Sequence, residues 1–94
     1  MIKLGYVYIL TNSSKTMLYV GVTSDLTKRI RQHQQKVYSK SYTAKYNIHL
    51  LIYYETYALV VDAIKREKEI KGWSRSKKEK LIKVKNPNWE ILCI

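Results

Sequence analysis

Tyr8 and Tyr19 lie near the centres of two apolar runs, "YVYIL" and "MLYVGV", joined by a polar turn over 11–16. Aromatic residues are good strand formers, so packing alone would account for them. Two phenols on one face would also form a pair of groups able to donate or accept a proton. Arg29 and His33 stand four apart in "TSDLTKRIRQH" and would stack on one helix face. Leu26 and Ile30 flank that face, so a cation and an imidazole sit beside an apolar stripe. A snorkelling arginine and a hydrogen-bonded boundary histidine would explain this equally well. Glu67 is the sharper signal. It falls in line with Val60, Ala63, Ile64 and Ile70 at helical spacing, whereas Glu69 points away. A carboxylate on such a stripe is costly unless it is paired or holds a metal. A salt bridge to Arg66, Lys71 or Arg29 and a divalent-cation ligand are both open readings.

Charge limits the partners. Lys and Arg number 18 against 7 Asp and Glu, a formal net charge of +11. Residues 65–85 hold ten of the 18 basic residues, and "KGWSRSKK" sets an aromatic among cations. Charge runs are commonly solvated helix faces, but the excess over the whole chain favours a polyanion. No apolar run approaches the length of a membrane span, and no signal-peptide pattern opens the chain. A single cysteine, Cys93, excludes an internal disulfide and a cysteine zinc site, so a reducing cytoplasm is the default expectation.

The elements that must position these residues follow from periodicity and turn chemistry. Strands are expected over 4–10, 17–22 and 48–55. A helix begins at "TSDL", with Thr23 or Ser24 as cap and Asp25 at its positive end, and runs to about Tyr38 with Val37 near its apolar face. "SKSYTAKYN" reads as a polar, basic connection. Thr56 is the expected cap of a second helix running to about Lys71, and Gly72 its left-handed terminator. Ser74 caps a third helix, "NPNW" is a turn, and "WEILC" is the candidate for a short fourth strand. The expected fold is α+β: a small antiparallel sheet of three strands, with that fourth as an option, packed by three helices in the order β-β-α-β-α-α. Ninety-four residues are expected to form a single domain over 1–94.

In this order the segments resemble the GIY-YIG nuclease domain, in particular its short standalone bacterial members. The two naming motifs stand as Tyr6-Val7-Tyr8 and Tyr19-Val20-Gly21. Arg29 and His33 match the family's arginine and its polar or histidine position, and Glu67 in "DAIKREKEIKGW" matches the metal-binding glutamate. "NPNW" is similar to a region where some members carry an active-site asparagine, which makes Asn86 a candidate. Two departures stand out: Tyr6 replaces the glycine of the first motif, and Val22 stands where repair nucleases have a lysine.

The resemblance implies a metal-dependent endonuclease acting on DNA, leaving 5′-phosphate and 3′-hydroxyl ends. In that reading Tyr8 and Tyr19 position or deprotonate the attacking water. Arg29 neutralises charge growing on the phosphate, and His33 bonds the phosphate or passes a proton. Glu67 holds Mg²⁺ or Mn²⁺. A phenol is a poor base at its reference pKa near 10, so Arg29 and the cation are expected to lower it. Gly21 would let the backbone approach the scissile phosphate. Arg31, Lys71, Arg75, Lys77, Lys78, Lys80 and Asn86 would hold the flanking strand. With no length for a separate targeting domain, cutting is expected to be structure-directed, in DNA repair or recombination. A non-catalytic DNA- or RNA-binding module of the same fold is the alternative, and an RNA-associated basic protein is a third.

Overall fold

The structure is a computed structural model that describes residues 3–36 and 40–94. Its elements are β1 (Gly5–Thr11), β2 (Leu18–Thr23), α1 (Leu26–Gln34), α2 (Tyr42–Lys45), β3 (Leu50–Tyr57), α3 (Val60–Lys71) and α4 (Arg75–Lys85). The three strands form one antiparallel sheet in the order β2-β1-β3. β1 is central, which explains its unbroken apolar run: Val7, Tyr8, Ile9 and Leu10 are all buried because both faces of the sheet are covered.

The two faces have different cores. Val7, Ile9 and Val20 pack with Ala63 and Ile70 of α3 and Ile82 of α4. Tyr8 and Leu10 pack with Leu26 and Ile30 of α1, closed by Ile48 and Leu51. An irregularity in the β1–β3 register between Ile9 and Leu10 leaves Ile52 and Tyr53 both in the α3–α4 core, the one-residue offset of a β-bulge.

Local chemistry sets the joints. Asn12 organises the hairpin turn, its Oδ1 accepting from the backbone N–H groups of Thr16 (2.9 Å) and Met17 (3.1 Å). Asp25 is itself the cap of α1, accepting from Lys28 N; Thr23 sits two residues earlier and accepts from Asp25 N. α1 ends at Gln34, short of the expected Tyr38; residues 37–39, and with them Val37, lie outside the described residues. The basic connection holds a further one-turn helix, α2, capped by Ser41.

Four other expectations are corrected. Thr56 pairs with Tyr6 inside β3 and caps nothing; α3 begins without a side-chain cap, and the Lys3 carbonyl accepts from Val60 N at 3.1 Å. Gly72 does close α3, but at φ −77°, not in the left-handed region. On α3, Ala63 and Ile70 are buried, whereas Ile64 is exposed, so the stripe is narrower than its spacing suggests. "WEILC" adds no strand among the described residues. It contributes one sheet-like bond, Leu92 N to Leu51 O at 2.8 Å, after Trp89 turns the chain at φ 52°.

Candidate active site

Tyr8 pairs with Gly21 across the hairpin, and Tyr19 with Leu10. The two tyrosines are therefore diagonal neighbours on the α1 face, as alternation requires, and their ring centroids are 6.4 Å apart. Gly21 is what admits this pairing. A Cβ there would lie 2.3 Å from Tyr8 Cζ and 2.4 Å from its hydroxyl. The expected opening of the Gly21 backbone to a phosphate is thus replaced on this face by the Tyr8 ring.

One turn of α1 brings Arg29 and His33 to that ring. His33 Nε2 is 3.0 Å from Tyr8 Oη, and Arg29 Nε donates to the same oxygen at 3.4 Å. Behind His33, its Nδ1 meets Thr43 Oγ1 of α2 at 3.0 Å, and Thr43 Oγ1 meets Ser41 Oγ at 3.2 Å. Arg29 can only donate. A single directed chain therefore partners every group: Arg29 to Tyr8, Tyr8 to His33 Nε2, and His33 Nδ1–H to Thr43. Both the His33 ring and Thr43 are buried, so an unmade bond here would be costly.

Burial dominates the ionisation of this cluster. Loss of solvent pushes the Tyr8 phenol up to about 12, against the opposing hydrogen bond and charge of Arg29. The expected lowering by Arg29 is therefore outweighed, and Tyr8 stays a neutral phenol at physiological pH. Burial, helped by Arg29, also lowers His33 to about 4, so its imidazole is neutral and able to accept from Tyr8. Tyr19, Arg29, Gln32 and His33 line a cavity of roughly 80 Å³ together with Lys36 and residues 41–44. Tyr8 does not line it.

Glu67 approaches from α3. Its side chain is 13% exposed and 3.5 Å from Lys71 Nζ, and Lys71 Nζ lies 5.9 Å from the Tyr19 ring centroid. Its charge is felt at Tyr8, where it helps keep the phenol protonated. Of the salt-bridge partners open to Glu67, Lys71 makes an ion pair with it. Arg66 instead clamps Glu55 (Nε to Oε1, 3.1 Å) and Glu69. Among the described residues no three His, Cys, Asp or Glu side chains gather as a metal cage. A lone carboxylate oxygen set fits a hard cation that keeps most of its waters and leans on substrate phosphate, and does not fit zinc.

The remaining candidates are not drawn together. Asn86 is buried and spends its amide on the fold: Nδ2 donates to the carbonyls of Ile52 and Glu90, both at 2.8 Å, and Oδ1 accepts from Glu90 N. It clamps the C-terminal turn to β3. Arg75 donates to the hairpin-turn carbonyls of Thr16 (2.5 Å) and Lys15 (3.2 Å), so its guanidinium ties α4 to β1–β2. Lys77 rests over Trp73 at 4.3 Å. Lys80 and Arg31 are exposed, and Lys78 lines a groove with Thr16 and Met17. Thr43 and Gln32 went unnoticed in the sequence; "SKSYTAKYN" has no periodicity that would mark a buried threonine. A second cluster was also unannounced. Tyr53 and Tyr57 both donate to Glu55 beside Arg66, and the Arg66 hydrogen bond, with theirs, overcomes burial to hold the Glu55 carboxyl below its usual range.

The site is thus a three-stranded sheet whose hairpin presents two phenols to an arginine and a histidine, with a glutamate arriving from the helix after the third strand. The GIY-YIG catalytic domain matches residues 4–80. A UPF0213 protein of Syntrophus aciditrophicus is 40% identical over 83 residues, covering 88% of this chain and 93% of its own length. A UPF0213 protein of Staphylococcus aureus is 37% identical over 78 residues, covering 83% and 93%. The solution NMR structure of a UPF0213 protein from Bacillus halodurans superimposes with a TM-score of 0.59 at 31% identity, over 93% of this chain and 90% of that one. The chain belongs to the GIY-YIG family, and is similar throughout to its short UPF0213 proteins. Among the described residues no helix is long and apolar enough to cross a membrane.

Proposed function

We propose that this protein is a divalent-metal-dependent endonuclease that hydrolyses phosphodiester bonds in DNA. The observation that carries the reading is the convergence of Arg29 and of His33, itself held by Thr43, on one buried phenol beside a cavity lined by Tyr19. A fully satisfied buried network of this kind rigidifies its members, which suits it to holding reacting groups in place. Tyr8, neutral and buried, orients Arg29 and the hairpin. Tyr19, on the cavity wall, is the phenol that meets the attacking water. That water's oxygen bonds phosphorus as the bond to the 3′ oxygen breaks. Tyr19 Oη hydrogen-bonds and orients that water, the water's proton passes to solvent, and the leaving oxygen takes a proton from solvent. Arg29 faces the charge that grows on the phosphate oxygens. Glu67 would hold Mg²⁺ or Mn²⁺, and the bound cation would supply positive charge to the phosphate and leaving oxygen. Structure-directed cutting in the cytoplasm, in repair or recombination, is the setting the family resemblance favours.

One observation favours the rival reading of a binding module without catalysis: Lys71 already neutralises Glu67. The test is incubation with branched, flapped, single-stranded and duplex DNA, with and without Mg²⁺ or Mn²⁺. Metal-dependent cleavage is expected, abolished in Glu67→Ala with the thermal melt retained. Cleavage at the wild-type rate by that variant sinks the metal assignment, and no cleavage of any substrate by the wild type favours the binding module.

A further inference from the structure

Tyr42 and Tyr46 of the α2 turn are 51% and 40% exposed. The rings lie 4.8 Å apart, centroid to centroid, and Lys45 Nζ stands 5.4 Å over Tyr46. Tyr42 occupies a junction. On one side it lines the cavity of Tyr19, Arg29 and His33. On the other it lines a groove of about 230 Å³ with Met17, Arg75 and Lys78. The next residue, Thr43, holds His33, which pins the backbone that presents the ring. An exposed aromatic between two cationic concavities matches what an unpaired strand needs: a stacking surface for a base, with cations beside it for the phosphates.

We propose that Tyr42, backed by Tyr46, is a stacking platform for an unpaired nucleotide next to the scissile phosphate, with the strand continuing along the groove where Lys78 supplies the cation. The occupant is single-stranded nucleic acid; a duplex would keep its base faces covered by stacking. The inference rests on the nuclease reading above and deepens it, because it assigns preference to substrates with an unpaired segment at the cut.

The experiment measures binding of a fluorescent oligothymidylate and of a duplex, without divalent cation so that cleavage does not intervene. Proteins are the full chain and its Tyr42→Ala, Tyr42→Phe and Tyr46→Ala variants. Tyr42→Ala is expected to weaken single-strand binding about tenfold, and to leave duplex binding within about twofold. Tyr42→Phe should bind as the wild type does, since it keeps the ring, and Tyr46→Ala should show a smaller loss. Because α2 is short, a second readout uses the unmutated protein: Tyr42 ring proton resonances should shift upfield as oligothymidylate is added. Unchanged ring resonances together with wild-type single-strand affinity in Tyr42→Ala overturn the platform. Loss of affinity for single strand and duplex alike also overturns it. A wild-type protein that binds neither oligonucleotide at low salt is a different failure, that of the nucleic-acid reading itself.

Discussion

Tyr8 carries its hydroxyl between α1 and the sheet, where Arg29 donates to it and His33 Nε2 lies 3.0 Å away. Solvent exclusion outweighs the nearby cation, so the phenol is held near 12 and the imidazole near 4. The His33 shift has a signed consequence for stability. Between the ordinary histidine value of 6.5 and about 4, the unfolded chain takes up a proton that the native chain refuses. Stability from this group is therefore complete above pH 6.5 and is lost as the pH falls toward 4, by up to about 3 kcal/mol. Urea denaturation at pH 7 and pH 4.5 checks this. The wild type should lose stability over that interval, and His33→Leu, though weaker at pH 7, should lose much less. Glu55, whose carboxyl is held low by Arg66 and two phenols, contributes its own loss at lower pH in both proteins. An equal pH dependence in the two would remove His33 as the source.

The joints between elements show which local rules were followed. Ser74 and Asp25 cap their helices with side-chain oxygens, as their residue types foretell. α3 takes its first bond from a distant backbone carbonyl, Lys3, which no local pattern encodes. Gly72 ends α3 with right-handed geometry, and a Cβ there would meet nothing nearer than Glu69 O at 3.5 Å. Gly72→Ala should therefore stabilise the protein by about 0.4–1 kcal/mol, by restricting the unfolded chain without strain in the folded one. A chemical-denaturation midpoint that falls on this substitution would mean the position needs glycine after all. Asn86 is the opposite case: its side chain ties α4 and the C-terminal turn to the β3 backbone, so its value is long-range and tertiary.

For the molecule as a polyelectrolyte, +11 spread over 94 residues makes affinity for any nucleic acid strongly salt-dependent. Not all of that charge is available to phosphate. Arg66 and Arg75 are engaged with protein oxygens, and Lys71 with Glu67. Lys77, Lys78 and Lys80 of α4 make no ion pair among the described residues. Replacing these three by alanine should raise the DNA dissociation constant and lower the slope of log K against log salt by about one unit per phosphate contact removed. Single turnover at saturating DNA should change little, because such contacts serve ground and transition states alike. Binding curves across a salt series measure the first effect, and normal binding throughout would leave α4 a solvated face.

Periodicity, turn residues and charge determined a great deal without any coordinates. The three strands, the long helices α3 and α4, the hairpin that sets Tyr8 and Tyr19 on one face, and the α1 spacing of Arg29 and His33 all follow from near-neighbour geometry. Those features repeat every two or about 3.6 residues, and the chain displays the repeat openly. What only the tertiary structure decided is of another kind. Whether Glu67 pairs with Lys71, Arg66 or Arg29 depends on helix placement over the sheet. So does the retreat of Asn86 and Arg75 into holding the fold together. The direction of the Tyr8 shift depends on how much water α1 and the sheet exclude, a property of packing that no residue type carries. Thr43 is the plainest example. It lies in a basic stretch without periodicity, and it becomes the partner of His33 only because the chain returns across α1 before entering β3.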